Sequence, residues 1–282
     1  EVNGTDGWVT GDSLKAAEWI GKVHNYLKVN DPWNRPTTGT RSGGIKEFWH
    51  EAYQITDIAA REIYEAQGFP INKTGTIDSA TLNPLIHSYR NYADQNQKLW
   101  HGYGKPVING ETGWAHTFYE PSMPGYLAQY HNAMWVTLAT GSSMMPFWWA
   151  HSKFINDNVV NSQMTSLRRF TDRIPFAHIS NIRPAELKCS KGGDIYGMQS
   201  DEYIFGWVVN ADGDVANESI TVSSLKNGKY KLMTFHTWRG TFLDETEVTV
   251  SDGKITFAPP YMRITGSQAR YIGQDMAFIL QY

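Results

Sequence analysis

With 282 residues and a formal net charge of −3, the chain is long enough for a sizeable core and two domains, and it lacks both the basic footprint of a nucleic-acid binder and a polybasic membrane anchor. A single cysteine, Cys189, excludes an internal disulfide framework, and no apolar run reaches the length of a membrane span. Tryptophans beside polar residues (Trp8, Trp114, Trp148, Trp149) suit sugar stacking as well as core filling, so position has to decide between the two. The chain opens Glu1-Val2-Asn3-Gly4, without Met or a targeting segment, and reads as a processed or truncated end.

The first predicted element is a helix from Asp12 to Asn30. Asp12 or Ser13 caps it, and Leu14, Ala17, Trp19, Ile20, Val23 and Leu27 give an apolar face of roughly helical period. NDPWNRP stops it, because proline cannot continue a helix. TTGTRSGG, from Thr37 to Gly44, reads as a short strand and a loop. The segment from Tyr53 to Ala66 carries both helical and strand features, and we assign it as a strand leaving a buried core. A second helix, about Ser79 to Leu99, leads into a strand at Pro106–Ile108, whose Val107 and Ile108 are β-branched. A third helix in GYLAQYHNAMWVTLATG ends at Gly141, where a C-terminal glycine belongs. An apolar strand at Met144–Trp149 and a helix from about Asn161 to Ile174 complete this half. Alternating strands and helices imply parallel strands with crossover helices.

The pattern changes between Pro175 and Pro184. From Ile195 onward, short alternating runs are separated by turn signals such as Asp212-Gly213, Asn227-Gly228 and Asp252-Gly253, which mark hairpins. This is an all-β domain, most simply a sandwich.

One acidic residue stands out. In GKPVINGETGW, Gly104 to Trp114, Glu111 follows directly on the buried strand and is flanked by Asn109-Gly110 and Thr112-Gly113. A carboxylate at the exit of a buried strand is costly unless something offsets its desolvation, and a catalytic or ligand role is one such reason. A structural acid capping a loop is the other reading. No His/Cys cluster has metal-ligand spacing, and GTRSGG lacks the glycine spacing of a nucleotide-binding fingerprint.

KPVINGETGW resembles the seventh-strand motif of the clan of retaining β-glycosidases built on the (β/α)8 barrel, the clan that includes glycoside hydrolase family 5. In that clan the seventh strand ends in the nucleophilic glutamate and the fourth in Asn-Glu, whose glutamate is the acid/base. The resemblance puts the nucleophile at Glu111 and the acid/base at Glu1, where EVNGTDGW looks like the tail of the Asn-Glu motif. PFWWAHSKF, Pro146 to Phe154, resembles the clan's eighth strand, where a tryptophan floors the sugar site. Trp148 and Trp149 alternate faces in a strand, and Trp149, nearer its C-terminal end, is the preferred platform. The clan's His-x-Tyr after strand six is matched by Glu62-Ile63-Tyr64, which offers Tyr64 as a group orienting the nucleophile but has glutamate in place of histidine. Trp114, His116 and His151 follow the seventh and eighth strands and are candidates to line the cleft; packing or surface roles are the alternatives. The C-terminal tail is similar to the β-sandwich attached to several bacterial members.

The resemblance therefore implies an α/β fold: the C-terminal half of a (β/α)8 TIM barrel, strands five to eight, in residues 1–177, then a β-sandwich in residues 178–282. It implies a carbohydrate substrate, no cofactor, a secreted or periplasmic location, and a first half-barrel supplied elsewhere, a separate chain being one source. Retaining hydrolysis needs two carboxyls about 5–5.5 Å apart, one attacking the anomeric carbon and one protonating the leaving oxygen. A non-catalytic carbohydrate-binding or scaffold protein, or an inactive fragment of the parent enzyme, are the alternative readings.

Overall fold

The computed structural model describes residues 13–40, 50–64, 87–113, 126–142, 158–262 and 272–282; at residues 62–64 and 111–113 the description is of the backbone. It is a mixed α/β structure with two compact units, one formed by Glu1–Tyr126 with Gly141–His151 and the other by Leu127–Thr140 with Ser152–Tyr282.

The first unit is built on a parallel sheet. Helix α1 spans Ser13–Asn30, close to the predicted bounds, but its buried stripe is narrow. Ala16, Ala17 and Ile20 are buried, whereas Leu14 and Trp19 are 63% and 52% exposed. Small residues on the inner stripe let the helix approach the sheet closely: a Cβ at Gly39 would come within 2.8 Å of the Ile20 side chain. Strand β1 is short, Thr38–Gly39. The segment from Tyr53 to Ala66 is not one strand. Helix α2, His50–Ile55, ends first, and strand β2 runs from Ile58 to Tyr64.

Two polar side chains, Lys105 and Asp57, mark the break between α2 and β2. The Lys105 ammonium donates to the carbonyls of Tyr53 and Thr56, at 2.6 Å each, where a helix C-terminus attracts a cation. The Asp57 carboxylate then accepts from the Thr37 backbone N–H at 2.8 Å and pairs with Lys28 at 2.9 Å. Partial burial raises the Asp57 pKa, but the hydrogen bonds from Thr37 and Lys28 outweigh it and bring it down to about 2.

Helix α3, Tyr89–Tyr103, starts later and ends later than expected; residues 79–86 lie outside the described part. It buries Tyr89, Tyr92, Ala93, Asn96 and Leu99, a single helical face. Strand β3 follows at Val107–Gly113. The three strands are parallel in the order β1-β2-β3. Helix α4, Tyr126–Ala139, stops two residues before the predicted Gly141, whose φ of 81° suits a residue without Cβ just past a helix end. Ser142 then forms a parallel bridge to Val107, so the next segment begins beside β3. The strand expected at Met144–Trp149 lies outside the described residues. Ala16, Ala17, Ile20, Ala52, Tyr53, Ala59, Leu99 and Val107 form one apolar core between the three helices and one face of the sheet.

The second unit contains the rest of α4, helix α5 (Asn158–Thr171) and two antiparallel sheets. Strands β4 (Arg183–Pro184), β6 (Asp194–Gln199), β7 (Tyr203–Val209), β9 (Gly228–His236), β10 (Thr241–Val250) and β12 (Asp275–Gln281) form six strands in the order β10-β9-β12-β7-β6-β4. Strands β5 (Leu187–Cys189), β8 (Ile220–Val222) and β11 (Ile255–Phe257) form the smaller sheet. Alternation along the central strands divides their side chains between two cores. Ile204, Val208, Leu232, Met276, Phe278 and Leu280 share an apolar cluster with Ile220 and Val222 of the smaller sheet. On the opposite face, Phe235 packs against Trp135 of α4 and Phe170 of α5, with ring centroids 5.8 and 5.3 Å apart. Asp252-Gly253 makes the tight turn its sequence predicts, with φ of 55° and 68° inside the Ser251–Lys254 bridge. Asp212-Gly213 instead lies in a connection between the sheets, because β7 and β8 belong to different ones.

The helix-covered face also holds a buried polar centre. Asp275, 2% exposed, accepts from the indole N–H of Trp207 at 2.7 Å and of Trp238 at 2.8 Å. Nε2 of His131, on α4, lies 2.9 Å from the same carboxylate, and its Nδ1 lies 2.6 Å from Oε1 of Gln163 on α5. The His131 ring stacks on Trp238 at 3.9 Å. Both helices are thus tied to the sheet by directional bonds as well as by packing.

Cys189 lies beside acidic neighbours. Burial, then the charges of Glu218 and Asp194, push its thiol up to about 12 from an ordinary 9.0. A shift of three units leaves about a thousandfold less thiolate near pH 8. Iodoacetamide is therefore expected to alkylate the folded protein about a thousandfold more slowly than the guanidinium-unfolded chain, as followed by mass spectrometry over time; equal rates would contradict this environment. Glu218 has a structural task of its own: its carboxylate accepts from the backbone N–H groups of Lys191 at 2.7 Å and Gly193 at 2.9 Å, fixing the β5–β6 turn.

Candidate active site

Parallel strands with helices on one face bring their C-terminal ends to a common edge, where connecting loops carry chemistry. In the first unit this edge is formed by Thr40 after β1, the Glu62–Tyr64 end of β2 and the Glu111–Gly113 end of β3. Glu111 lies in β3, and its register partner on β2 is Glu62; Tyr64 pairs with Gly113 two positions on. Glu111 and Tyr64 therefore lie toward the ends of adjacent parallel strands.

The residues below this edge are tightly held. Asn109 is fully buried and its backbone N–H donates to Ser142 Oγ at 3.1 Å, linking β3 to the segment after α4. Arg61, 7% exposed, pairs in register with Asn109. A guanidinium so deeply buried is rare. Arg61, Asn109 and Ser142 carry no signal in the sequence, since only the strand pairing brings them together; the strand expected at Pro106–Ile108 runs on to Gly113, so Asn109, Gly110 and Glu111 lie within it. Glu1, Trp114, His116, Trp148, Trp149 and His151 all lie outside the described residues.

Neither a protein-family profile nor a curated protein matches the sequence. Solved structures do. The chain is similar to a glycoside hydrolase at a TM-score of 0.55 and 15% identity, covering 95% of this chain and 61% of that one. It is similar to a glycoside hydrolase family 5 protein from Bacteroides vulgatus at a TM-score of 0.57 and 11% identity, covering 92% and 58%. A family 44 xyloglucanase from Paenibacillus polymyxa aligns at a TM-score of 0.51 and 11% identity, covering 95% and 61%. The chain thus shares its fold with glycoside hydrolases and spans about three fifths of the length of these structures. Among the described residues, no helix is long and apolar enough to cross a membrane.

Proposed function

We propose that the chain is the C-terminal half of a (β/α)8 catalytic barrel, strands five to eight, within residues 1–177, followed by a β-sandwich in residues 178–282, and that it derives from a retaining β-glycosidase acting on a poly- or oligosaccharide. The observation that carries this reading is the position of Glu111 at the C-terminal end of a parallel strand, beside the end of the neighbouring strand. The fold shared with glycoside hydrolases supports the substrate class.

Glu111 is the nucleophile in this reading and attacks the anomeric carbon. Glu1 protonates the departing oxygen, then takes a proton from the water that releases the sugar from the glycosyl-enzyme. Tyr64 orients Glu111. Trp149, with Trp148 as the alternative, gives the pyranose an aromatic floor, and Trp114, His116 and His151 line the cleft. The reaction needs no cofactor, and secretion or periplasmic export fits a polymeric substrate. Strands one to four come from the parent polypeptide or a separate chain, and hydrolysis requires them because a half-barrel leaves a sheet edge and core uncovered.

The test uses the protein as encoded in full with xyloglucan, carboxymethylcellulose, xylan and mannan. Reducing-end release identifies the substrate, and proton NMR during the first turnovers reads the anomer formed. The β-anomer appearing first is the expected result. Appearance of the α-anomer first, or binding without hydrolysis on all four polymers, would overturn the retaining-hydrolase reading, the latter in favour of a carbohydrate-binding role.

A further inference from the structure

Strands β2 and β3 pair regularly from Ala59 with Val107 to Arg61 with Asn109, and then Glu62 pairs with Glu111, so Gly110 is one residue too many on β3. Bulges are uncommon in parallel pairs, and where they occur they change the face on which the following residues fall. The alternation of a strand makes the consequence definite. Ala59 and Val107 belong to the helix-covered core. In an unbroken strand, position 111 would share the phase of Val107 and Asn109 and fall on that covered face. With Gly110 inserted, position 111 is in register with Glu62, hence in phase with Ala60 and Ile108 on the opposite face. The inserted residue has little room for a side chain: a Cβ at 110 would sit 3.0 Å from Cγ2 of Thr40, the residue that follows β1.

We propose that the Gly110 bulge, seated against Thr40, is the positioning device for Glu111, moving position 111 in the strand from the helix-covered face to the opposite one. The inference rests on the reading of Glu111 as nucleophile. A methyl group at position 110 meets the Thr40 methyl and pushes the bulge away from β1. Relieving that contact takes a shift of a few tenths of an ångström, where a misplacement of about 1 Å costs on the order of a hundredfold in rate.

The test compares wild type, Gly110→Ala, Thr40→Ser and the double variant in the protein as encoded in full, using hydrolysis of an aryl β-cellobioside and of xyloglucan together with crystal structures of each. Gly110→Ala is expected to lower kcat by about tenfold, with KM and the melting temperature little changed. Thr40→Ser deletes the opposing methyl, so the double variant is expected to recover to the level of Thr40→Ser alone and to return the Glu111 backbone to its original place. Unchanged kcat in Gly110→Ala, a loss shared equally by melting temperature and KM, or no recovery in the double variant would each overturn the proposal. A Glu111→Gln control separates the two claims: full activity there refutes the nucleophile reading, whereas loss there with none in Gly110→Ala refutes the positioning role. If wild type hydrolyses neither probe, the crystal structures decide, and an unmoved Glu111 backbone in Gly110→Ala refutes the inference.

Discussion

Glu111→Gln is expected to lower kcat/KM by about ten-thousandfold or more while sugar binding persists, because the amide cannot form the glycosyl-enzyme yet fills the same volume. In the proposed reaction the loss falls on kcat, since a nucleophilic carboxylate acts on the reacting carbon and contributes little to holding the rest of the sugar. Glu111→Gly supplies a second readout. Azide added to that variant can occupy the vacated space and attack from the same face, giving an α-glycosyl azide from a β-glycoside. Recovered turnover with that product identifies a missing nucleophile, which a merely structural glutamate cannot mimic. A Glu111→Gln protein with near-normal kcat would remove the residue from the chemistry.

Asp275→Ala is expected to destabilise the second unit by about 3–5 kcal/mol, the usual cost of removing one partner from a buried charged network. The substitution leaves the indole N–H groups of Trp207 and Trp238 without their acceptor and removes the group facing His131 Nε2. For a unit of this size the loss corresponds to a fall of about 10 °C in melting temperature, read by calorimetry. A fall of under about 2 °C would show that the network contributes little to stability.

The pH dependence of this centre follows from the same groups. Burial alone would raise the Asp275 pKa, but His131 and the donors from Trp207 and Thr237 hold it below its ordinary 3.8. Its contribution to stability is therefore complete above about pH 3.8 and is lost as the pH falls from there toward the native value. His236, buried nearby, is shifted below its ordinary 6.5, chiefly by that burial. The unfolded chain then takes up a proton before the folded one does. Stability should begin to fall on acidification below about pH 6.5 through His236, and fall again below about pH 3.8 through Asp275.

Local signals were legible in the sequence wherever they were self-contained. The bounds of α1, the end of α4 near Gly141 and the turn at Asp252-Gly253 each depend on a few neighbouring residues, and each is found within two residues of where it was read. The segment from Tyr53 to Ala66 was misread because its division is marked from outside: Lys105 caps the helix and Thr37 binds Asp57. The polar centre at Asp275 was not legible at all, since His131 lies 144 positions away. Glu111 stood out in the sequence because its motif is contiguous. The Gly110 bulge was missed because a bulge exists only relative to the partner strand, and no pattern within β3 records the register of β2. The remaining motif residues, Glu1, Trp114, His116, Trp148, Trp149 and His151, stand on the motif resemblance.

The central claim is that Glu111 becomes covalently bonded to sugar. Its most direct test is to incubate the protein as encoded in full with a fluorinated aryl β-cellobioside, whose electronegative substituent slows release of the glycosyl-enzyme, and to map the adduct by peptide mass spectrometry. Glu111 as nucleophile predicts one fluorinated cellobiosyl group attached to the peptide that contains Lys105 to Gly113, the aryl alcohol having departed, with fragmentation placing it on Glu111. An adduct on Glu62 or another carboxylate, or active enzyme that turns over without ever being trapped, would contradict it.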